Sequence, residues 1–440
     1  MRASWVLVLF VGCGPRPDAP VQPPILTGTL PAFVGEPPSN LLVVSIDTLQ
    51  RNRMATYGGD VSMPFMDRIL DEGVRLDTHM SCSNWTFASI LCVQTGMSAT
   101  EIGFVPGLSG KLGSAPTEPP DLAARLADHG YTTVLGTSNE FFSTERGTAT
   151  GFDATVIVDD LPAEDLHAQT LPVLEERRGD GPWYYHLHVM EPHVPYAPPE
   201  AYRTGLEDLQ PIDFDLDVSA DHYEALVRWI TLTEDQRETV ADHMEVRYNG
   251  ELRWLDDQLA AIFDDLDARG LLEDTLVLIW SDHGEQFWEH GAQAHANALY
   301  WEETDALAVL WSRNIIPTAH RGPTTHIDLA PTLFTALDLP LPDNWTGFPV
   351  GKAADDRPIH AVTDGRSGVV QSVRVGPARL HYWWTGLAAH FDLDDDPEEL
   401  ADLSKIVDPT TTELWDLLQA ETERIAPLVE QEPVPPATAR

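Results

Sequence analysis

Two hydrophobic periods divide this chain into its elements. Positions 41–46, 183–190, 275–280 and 306–311 are near-continuous apolar runs of strand length, the pattern of strands buried on both faces of a parallel sheet. Between them the apolar positions fall three and four apart. Met66, Ile69, Leu70 and Val74 predict a helix over 64–76, and shorter helices are expected over 88–94 and 122–129. Gly130 stops the last of these, and 131–136 reads as the next strand. From 244 to 269, Val246, Leu252, Leu255, Leu259, Ile262, Phe263 and Leu266 mark a long helix ended by Gly270; 328–336 is another helix. Residues 203–240 are acidic and weakly periodic, and read as an insertion around a short helix. After about Leu341 the period becomes two: 369–375 and 378–384 are short strands flanking Gly376-Pro377, followed by a helix over 411–425. Strands alternating with helices imply an α/β fold, a large mainly parallel sheet between helices plus a small C-terminal antiparallel-sheet subdomain. The expected domains are 40–345 and 346–426.

Composition narrows the partners. Lys and Arg number 27 against 70 Asp and Glu, a formal net charge of −43, which argues against nucleic acid. An anionic substrate needs local positive charge in such a field, and a bound cation supplies it. At the start, Arg2 precedes the apolar run from Trp5 to Val11, then Gly12 and Cys13. Residues 1–13 resemble a bacterial lipoprotein signal, with Cys13 as the lipidated residue and the only membrane attachment; export without lipid is the alternative. Pro15, Pro17, Pro20, Pro23 and Pro24 make 14–39 read as a tether, and 427–440, with Pro433, Pro435 and Pro436, as a disordered tail. The expected location is the periplasm or outer membrane. Cys82 and Cys92 either pair in an exported chain or remain free and buried. Oligomeric state is not legible.

Chemistry concentrates where strands end. The run 275–280 leads into Ser281-Asp282-His283-Gly284-Glu285, and 41–46 leads into Asp47. In open α/β sheets sites lie at the carboxyl edge, so two carboxylates and an imidazole delivered there make a divalent-cation site; a capping turn is the bland alternative. Thr86, at the start of the helix near 88, places a hydroxyl beside free first-turn amides. Taken alone it reads more readily as an N-cap.

Several motifs in order change that balance. Ser45-Ile46-Asp47-Thr48-Leu49, Trp85-Thr86 with Thr95-Gly96, Glu191-Pro192-His193-Val194-Pro195-Tyr196, Ser281 to Glu285 with Glu289-His290-Gly291, and Asp328 to Leu333 together resemble the sulfatase family of the alkaline phosphatase superfamily. Phe391-Asp392-Leu393 with Asp396 to Glu399 resembles its C-terminal signature. The resemblance implies the alkaline-phosphatase-like fold, one divalent metal (Ca, Zn or Mn) on Asp47, Thr86, Asp282 and His283, and Thr86 as nucleophile. It implies a substrate contact at His193, and it makes His295, where many sulfatases keep a lysine, a candidate general acid. For His188, His290 and His326 structural hydrogen bonding is the expectation.

The departures are as informative. Sulfatases carry Cys or Ser in a Cys-x-Pro-x-Arg type motif, oxidised to formylglycine. Here Thr86 stands at the nucleophile position, Ala88 replaces the proline and Ile90 the arginine, and Thr48 stands where many relatives have a second metal-binding Asp. Threonine cannot yield the aldehyde, because its Cβ carries a methyl group. Branches that attack phosphate esters use threonine unmodified, so an anionic phosphate or sulfate ester is the expected substrate, with phosphate favoured. The alternative is a surface lipoprotein binding sulfated or phosphorylated glycans without turnover.

Overall fold

The computed structural model describes residues 30–105, 114–116, 118–159, 161–212, 216, 228, 229, 231–405, 409–429 and 433. The expected signal and nearly all of the expected tail beyond Val429 lie outside these.

Eight strands form the central sheet: β1 (Asn40–Ile46), β2 (Val74–Leu76), β3 (Thr132–Thr137), β4 (Ala154–Ile157), β5 (Trp183–Val189), β6 (Thr275–Ser281), β7 (Ala308–Trp311) and β8 (Thr318–His320). Their spatial order is β8-β2-β7-β6-β1-β5-β3-β4, and β7 alone runs against the rest. Because side chains alternate across a strand, Leu42, Val44, Ile46, Val277 and Ile279 face one layer, with α1 (Pro64–Glu72), α4 (Ala163–Arg177) and α5 (Glu234–Ala268). Leu41, Val43, Leu276, Leu278 and Trp280 face the other, with α2 (Thr86–Thr95), α3 (Leu122–Asp128) and α6 (Leu329–Ala336). Each fully buried aliphatic side chain contributes about 1.5–3 kcal/mol to holding the layers together.

A second, four-stranded antiparallel sheet is built by β9 (Ile359–Gly365), β10 (Gly368–Val375), β11 (Ala378–Trp383) and β12 (Ala388–Asp392). Val373, Leu380 and Trp384 pack there against Leu414, Leu418 and Ile425 of α7 (Pro409–Ile425). The fold class is therefore as expected.

Four boundaries differ. The helix expected over 64–76 ends at Glu72, and Val74–Leu76 pairs with both β7 and β8. Gly73 makes the switch: a Cβ there would lie 2.4 Å from the Leu310 carbonyl oxygen. The long helix starts at Glu234 rather than 244, because Thr233 and Gln236 form a reciprocal capping box. Residues 346–358 pack on the large domain, Val350 N donating to Thr332 Oγ1 at 3.0 Å and Arg357 pairing with Asp328 at 2.8 Å, so the small unit begins near Ile359. The end of the expected tether is docked: Leu30 is buried, and its N–H donates to Val350 O at 3.1 Å.

Candidate active site

Register brings the acidic residues together. Ile46 lies opposite both Val189 and Ser281, and the pairing continues one residue further, Asp47 N donating to Val189 O at 3.0 Å and Asp282 N to Ile46 O at 3.1 Å. Two carboxylates thus leave neighbouring strands side by side. Asp47, Asp282 and His283, all fully buried, present ligand atoms within 4.8 Å of one another. Gly284 allows the chain to turn there, since a Cβ would sit 2.0 Å from Glu302 O.

Thr86 enters from α2. The cap position is Trp85, which makes no side-chain capping bond, and the Thr86 hydroxyl faces the cluster: 3.5 Å from each Asp47 oxygen and 3.3 Å from His283 Nε2. This replaces the capping reading. Cys82 and Cys92 form a disulfide, with Cα atoms 6.8 Å apart, that ties the entry loop to α2 around Thr86. The alternative left open for the two cysteines is thereby closed.

The electrostatics fit a cation. His283 Nδ1 lies 2.9 Å from Gly284 O, which places the proton on Nδ1 and leaves the Nε2 lone pair aimed at the cluster. Asp282 Oδ1 accepts from Thr48 N at 3.0 Å and His283 N at 2.7 Å, while Oδ2 is buried without a protein hydrogen bond. Burial, then the charge of Asp47, push the Asp282 carboxyl up to about 6. Burial acts on Asp47 in the same sense, but His193, His188 and His283 outweigh it and hold that carboxyl well below its ordinary range. Two buried carboxylates, an unpartnered oxygen and an aligned imidazole lone pair are a donor set suited to a divalent ion. Thr48 adopts a left-handed φ of 56° and donates its N–H to Asp282 Oδ1, while its hydroxyl is buried without a protein hydrogen bond.

His193 and His295 lie beside the cluster. The rings of His283 and His295 are 4.6 Å apart and those of His295 and His193 5.2 Å. Their environments separate them. His295 is buried, which brings its imidazole down to about 4, and its Nδ1 is 3.0 Å from Glu285. For His193 burial is outweighed by Asp47 and Glu285, so its pKa is raised. The two imidazoles are thus biased in opposite directions, His193 toward its protonated form and His295 toward its neutral one.

Two partners escaped the sequence. Asn139 Nδ2 donates to Asp47 Oδ2 at 2.8 Å; it lies just beyond β3, so the strand-end rule that found Asp47 would have found it. Glu285, buried with Tyr196 donating to Oε2 at 2.8 Å, was visible in the motif but without a role. Among the histidines expected to be structural, His290 and His326 are so: His290 bonds Glu302 at 2.7 Å, and His326 lies 3.2 Å from Ser281 O. His188 is partly so, its Nδ1 lying 2.8 Å from Ser45 Oγ while Nε2 faces Asp47 Oδ2 at 3.5 Å.

The model of the Sulfatase family matches residues 39–339, well over half of the chain. The chain belongs to the sulfatase family. A choline-sulfatase of Rhizobium meliloti (strain 1021) is 24% identical over 335 residues, which is 69% of this chain and 65% of that relative. The chain therefore spans a little under two thirds of that relative's length. Among solved structures, BT4656 in complex with its substrate D-glucosamine-2-N,6-O-disulfate has a TM-score of 0.72 at 16% identity, covering 89% of this chain and 99% of that one. The phosphonate monoester hydrolase of Silicibacter pomeroyi gives 0.69 at 16%, covering 89% and 96%. That of Agrobacterium radiobacter gives 0.68 at 17%, covering 91% and 99%. At these identities the likeness carries the fold. Within this sulfatase-family chain Ile90 is wholly buried against Leu135, Phe142 and Ala149, so no guanidinium enters the site from that position.

Proposed function

We propose that this sulfatase-family protein is an exported hydrolase of phosphate or sulfate esters that uses unmodified Thr86 as its nucleophile. The observation that carries the reading is the direction of the Thr86 hydroxyl, toward Asp47 and His283 rather than toward its own helix. A divalent ion on Asp47, Asp282 and His283, with Thr86 beside it, would supply positive charge that eases ionisation of the hydroxyl and offsets charge on the non-bridging oxygens. Thr86 Oγ, its proton given up to solvent, attacks phosphorus or sulfur in line, forming one ester bond as the substrate's ester bond breaks, and it returns to the same ionised oxygen when water attacks the Thr86 ester. The leaving oxygen takes its proton from His193, which then, as a neutral imidazole, accepts a proton from the water that releases Thr86. Asn139 fixes the Asp47 carboxylate, and Glu285 fixes His295 beside the reacting atoms.

Phosphate is the favoured ester. Threonine has no route to formylglycine, and two of the structural neighbours are named phosphonate monoester hydrolases. The Cys82–Cys92 disulfide supports export, since such bonds persist in oxidising compartments; lipidation of Cys13 remains part of the proposal. Turnover of aryl phosphates, phosphodiesters, phosphonate monoesters and aryl sulfates by metal-loaded protein tests the activity. Turnover of at least one that is lost in Thr86→Ala is the expected result. Activity that survives the substitution overturns this nucleophile, and silence across the panel favours a ligand-binding role without turnover.

A further inference from the structure

The face of the central sheet that packs on α2 and α3 carries one polar row. Tyr184, His186 and His188 alternate along β5, level with Leu41, Val43 and Ser45 of β1, and all six are buried. Buried polar groups are costly unless hydrogen-bonded, and the four polar ones bond to one another. Tyr184 Oη is 2.7 Å from His186 Nδ1, His186 Nε2 is 2.9 Å from Ser45 Oγ, and Ser45 Oγ is 2.8 Å from His188 Nδ1. At the end of the row His188 Nε2 faces Asp47 Oδ2 at 3.5 Å. Phe142 packs edge-on to both imidazoles, at 4.9 and 6.0 Å, and Phe152 lies against Tyr184 at 5.3 Å.

The hydrogen bonds of this row run in one direction. Burial raises the pKa of the Tyr184 phenol, which keeps its proton, and lowers that of the His186 imidazole, which stays neutral. Gln94 hydrogen-bonds the phenol as a donor, the sense in which such a bond opposes that rise, so the phenol's own O–H goes to His186 Nδ1. An imidazole that accepts at Nδ1 carries its proton on Nε2, and His186 therefore donates to Ser45. A serine hydroxyl has one hydrogen, which is left for His188 Nδ1. His188 then carries its own proton on Nε2, toward Asp47. Electrostatics agree at that end: an N–H toward a buried carboxylate attracts, whereas the other tautomer would set lone pair against lone pair. Asp47 Oδ2 thus meets two N–H groups, Asn139 Nδ2 at 2.8 Å and His188 Nε2 further off.

We propose that Tyr184, His186 and Ser45 are positioning residues, whose hydrogen bonds fix His188 as the Nε2–H tautomer and so orient the Asp47 carboxylate for a divalent cation. The tautomer stands independently of the ester-hydrolase reading; only its effect on turnover rests on that reading.

The test labels the histidine rings of the full, metal-free protein with ¹⁵N and reads the His188 tautomer by long-range proton–nitrogen correlation at about pH 8, above the ordinary histidine range, with His188→Gln assigning the signal. The wild type should show a protonated Nε2 and a bare Nδ1. In Ser45→Ala that preference should be lost, and affinity for Mn²⁺ or Ca²⁺, whichever the wild type binds, should fall about tenfold by calorimetry. Tyr184→Phe leaves Ser45, His186 and His188 in place, and should move tautomer and affinity in the same direction by less. A merely structural role would lower melting temperature with the metal affinity unmoved. Turnover of whichever ester the wild type cleaves should fall with that affinity; a wild type that cleaves none defeats the ester reading and leaves tautomer and affinity to decide this one. A proton on His188 Nδ1 in the wild type would overturn the proposal, as would a tautomer or an affinity unchanged in Ser45→Ala, or a wild type that binds neither cation.

Discussion

Two of the clusters of buried ionisable groups among the described residues are built on opposite principles. At the seam between the two sheets, Glu399 is matched: Arg379 Nε lies 3.3 Å and His381 Nε2 2.9 Å from its Oε1, and Trp301 N donates to Oε2 at 2.7 Å. At the carboxyl edge of the large sheet, Asp47 and Asp282 are unmatched: like charges side by side, one oxygen without a partner, and a hydroxyl turned inward. Burial is the same in both, and the seam too holds polar atoms without a hydrogen bond, Arg379 Nη1 and His381 Nδ1; what differs is the compensation of charge. A compensated cluster holds a structure together, whereas an uncompensated one is stable only with something added, which is the mark of a site.

The largest expected effect separates the two at once. Asp282→Asn keeps shape but removes a charge from the candidate cation site, and turnover should fall by roughly 10⁴-fold, about 5.5 kcal/mol of barrier. Metal-free melting temperature should not fall, because a buried carboxyl already pushed up to about 6 is a strained charge at neutral pH. A drop in metal-free stability would erase the contrast between the clusters.

The reverse pattern is expected at the seam. Glu399→Gln should cost about 3–5 kcal/mol by stranding Arg379, while the enzyme that remains folded keeps its rate. The pH profile sharpens this. Burial would raise the Glu399 carboxyl, but Arg379 and then His381 hold it below its ordinary value. Its contribution is therefore complete above the unfolded value of about 4.3 and is lost as pH falls through the lower folded value. Denaturant melts across that range should show an acid-side slope in the wild type that is shallower in Glu399→Gln.

The two smaller effects probe what supports Thr86. Replacing both Cys82 and Cys92 by Ala should cost about 2–3 kcal/mol of stability for so short a loop, with a further fall in turnover as the start of α2 loosens. Asn139→Ala should lower turnover about 10- to 100-fold by freeing Asp47, with little change in melting temperature. An unchanged rate would remove Asn139 from the site.

What the sequence made legible follows the same division. The strand-end residues Asp47, Asp282 and His283 could be read because buried strands are continuous apolar runs and the sheet edge is a fixed place. Thr86 needed the family resemblance, since its position alone looks like a cap, and only the direction of its hydroxyl separates the two. The compensated cluster was not legible: Arg379, His381 and Glu399 come from different segments, and no local pattern announces such a meeting. Val74–Leu76 was misread because Val74 continues the helical spacing of Met66 and Ile69, while the constraint at Gly73 comes from Leu310, far along the chain. Helix α4 was not read at all; Pro172 lies inside it, a residue that in a sequence argues against a helix, and its amphipathic pattern is weak.

A threonine nucleophile implies that Thr86 itself becomes esterified during turnover. Rapid acid quench of metal-loaded protein with a substrate that turns over, followed by peptide mass spectrometry, tests it directly. One phosphoryl or sulfuryl group is expected on the peptide carrying Thr86, appearing within the first turnover and absent from Thr86→Ala. Steady turnover by the wild type with that peptide unmodified, and a Thr86→Ala variant that keeps its rate, would contradict it.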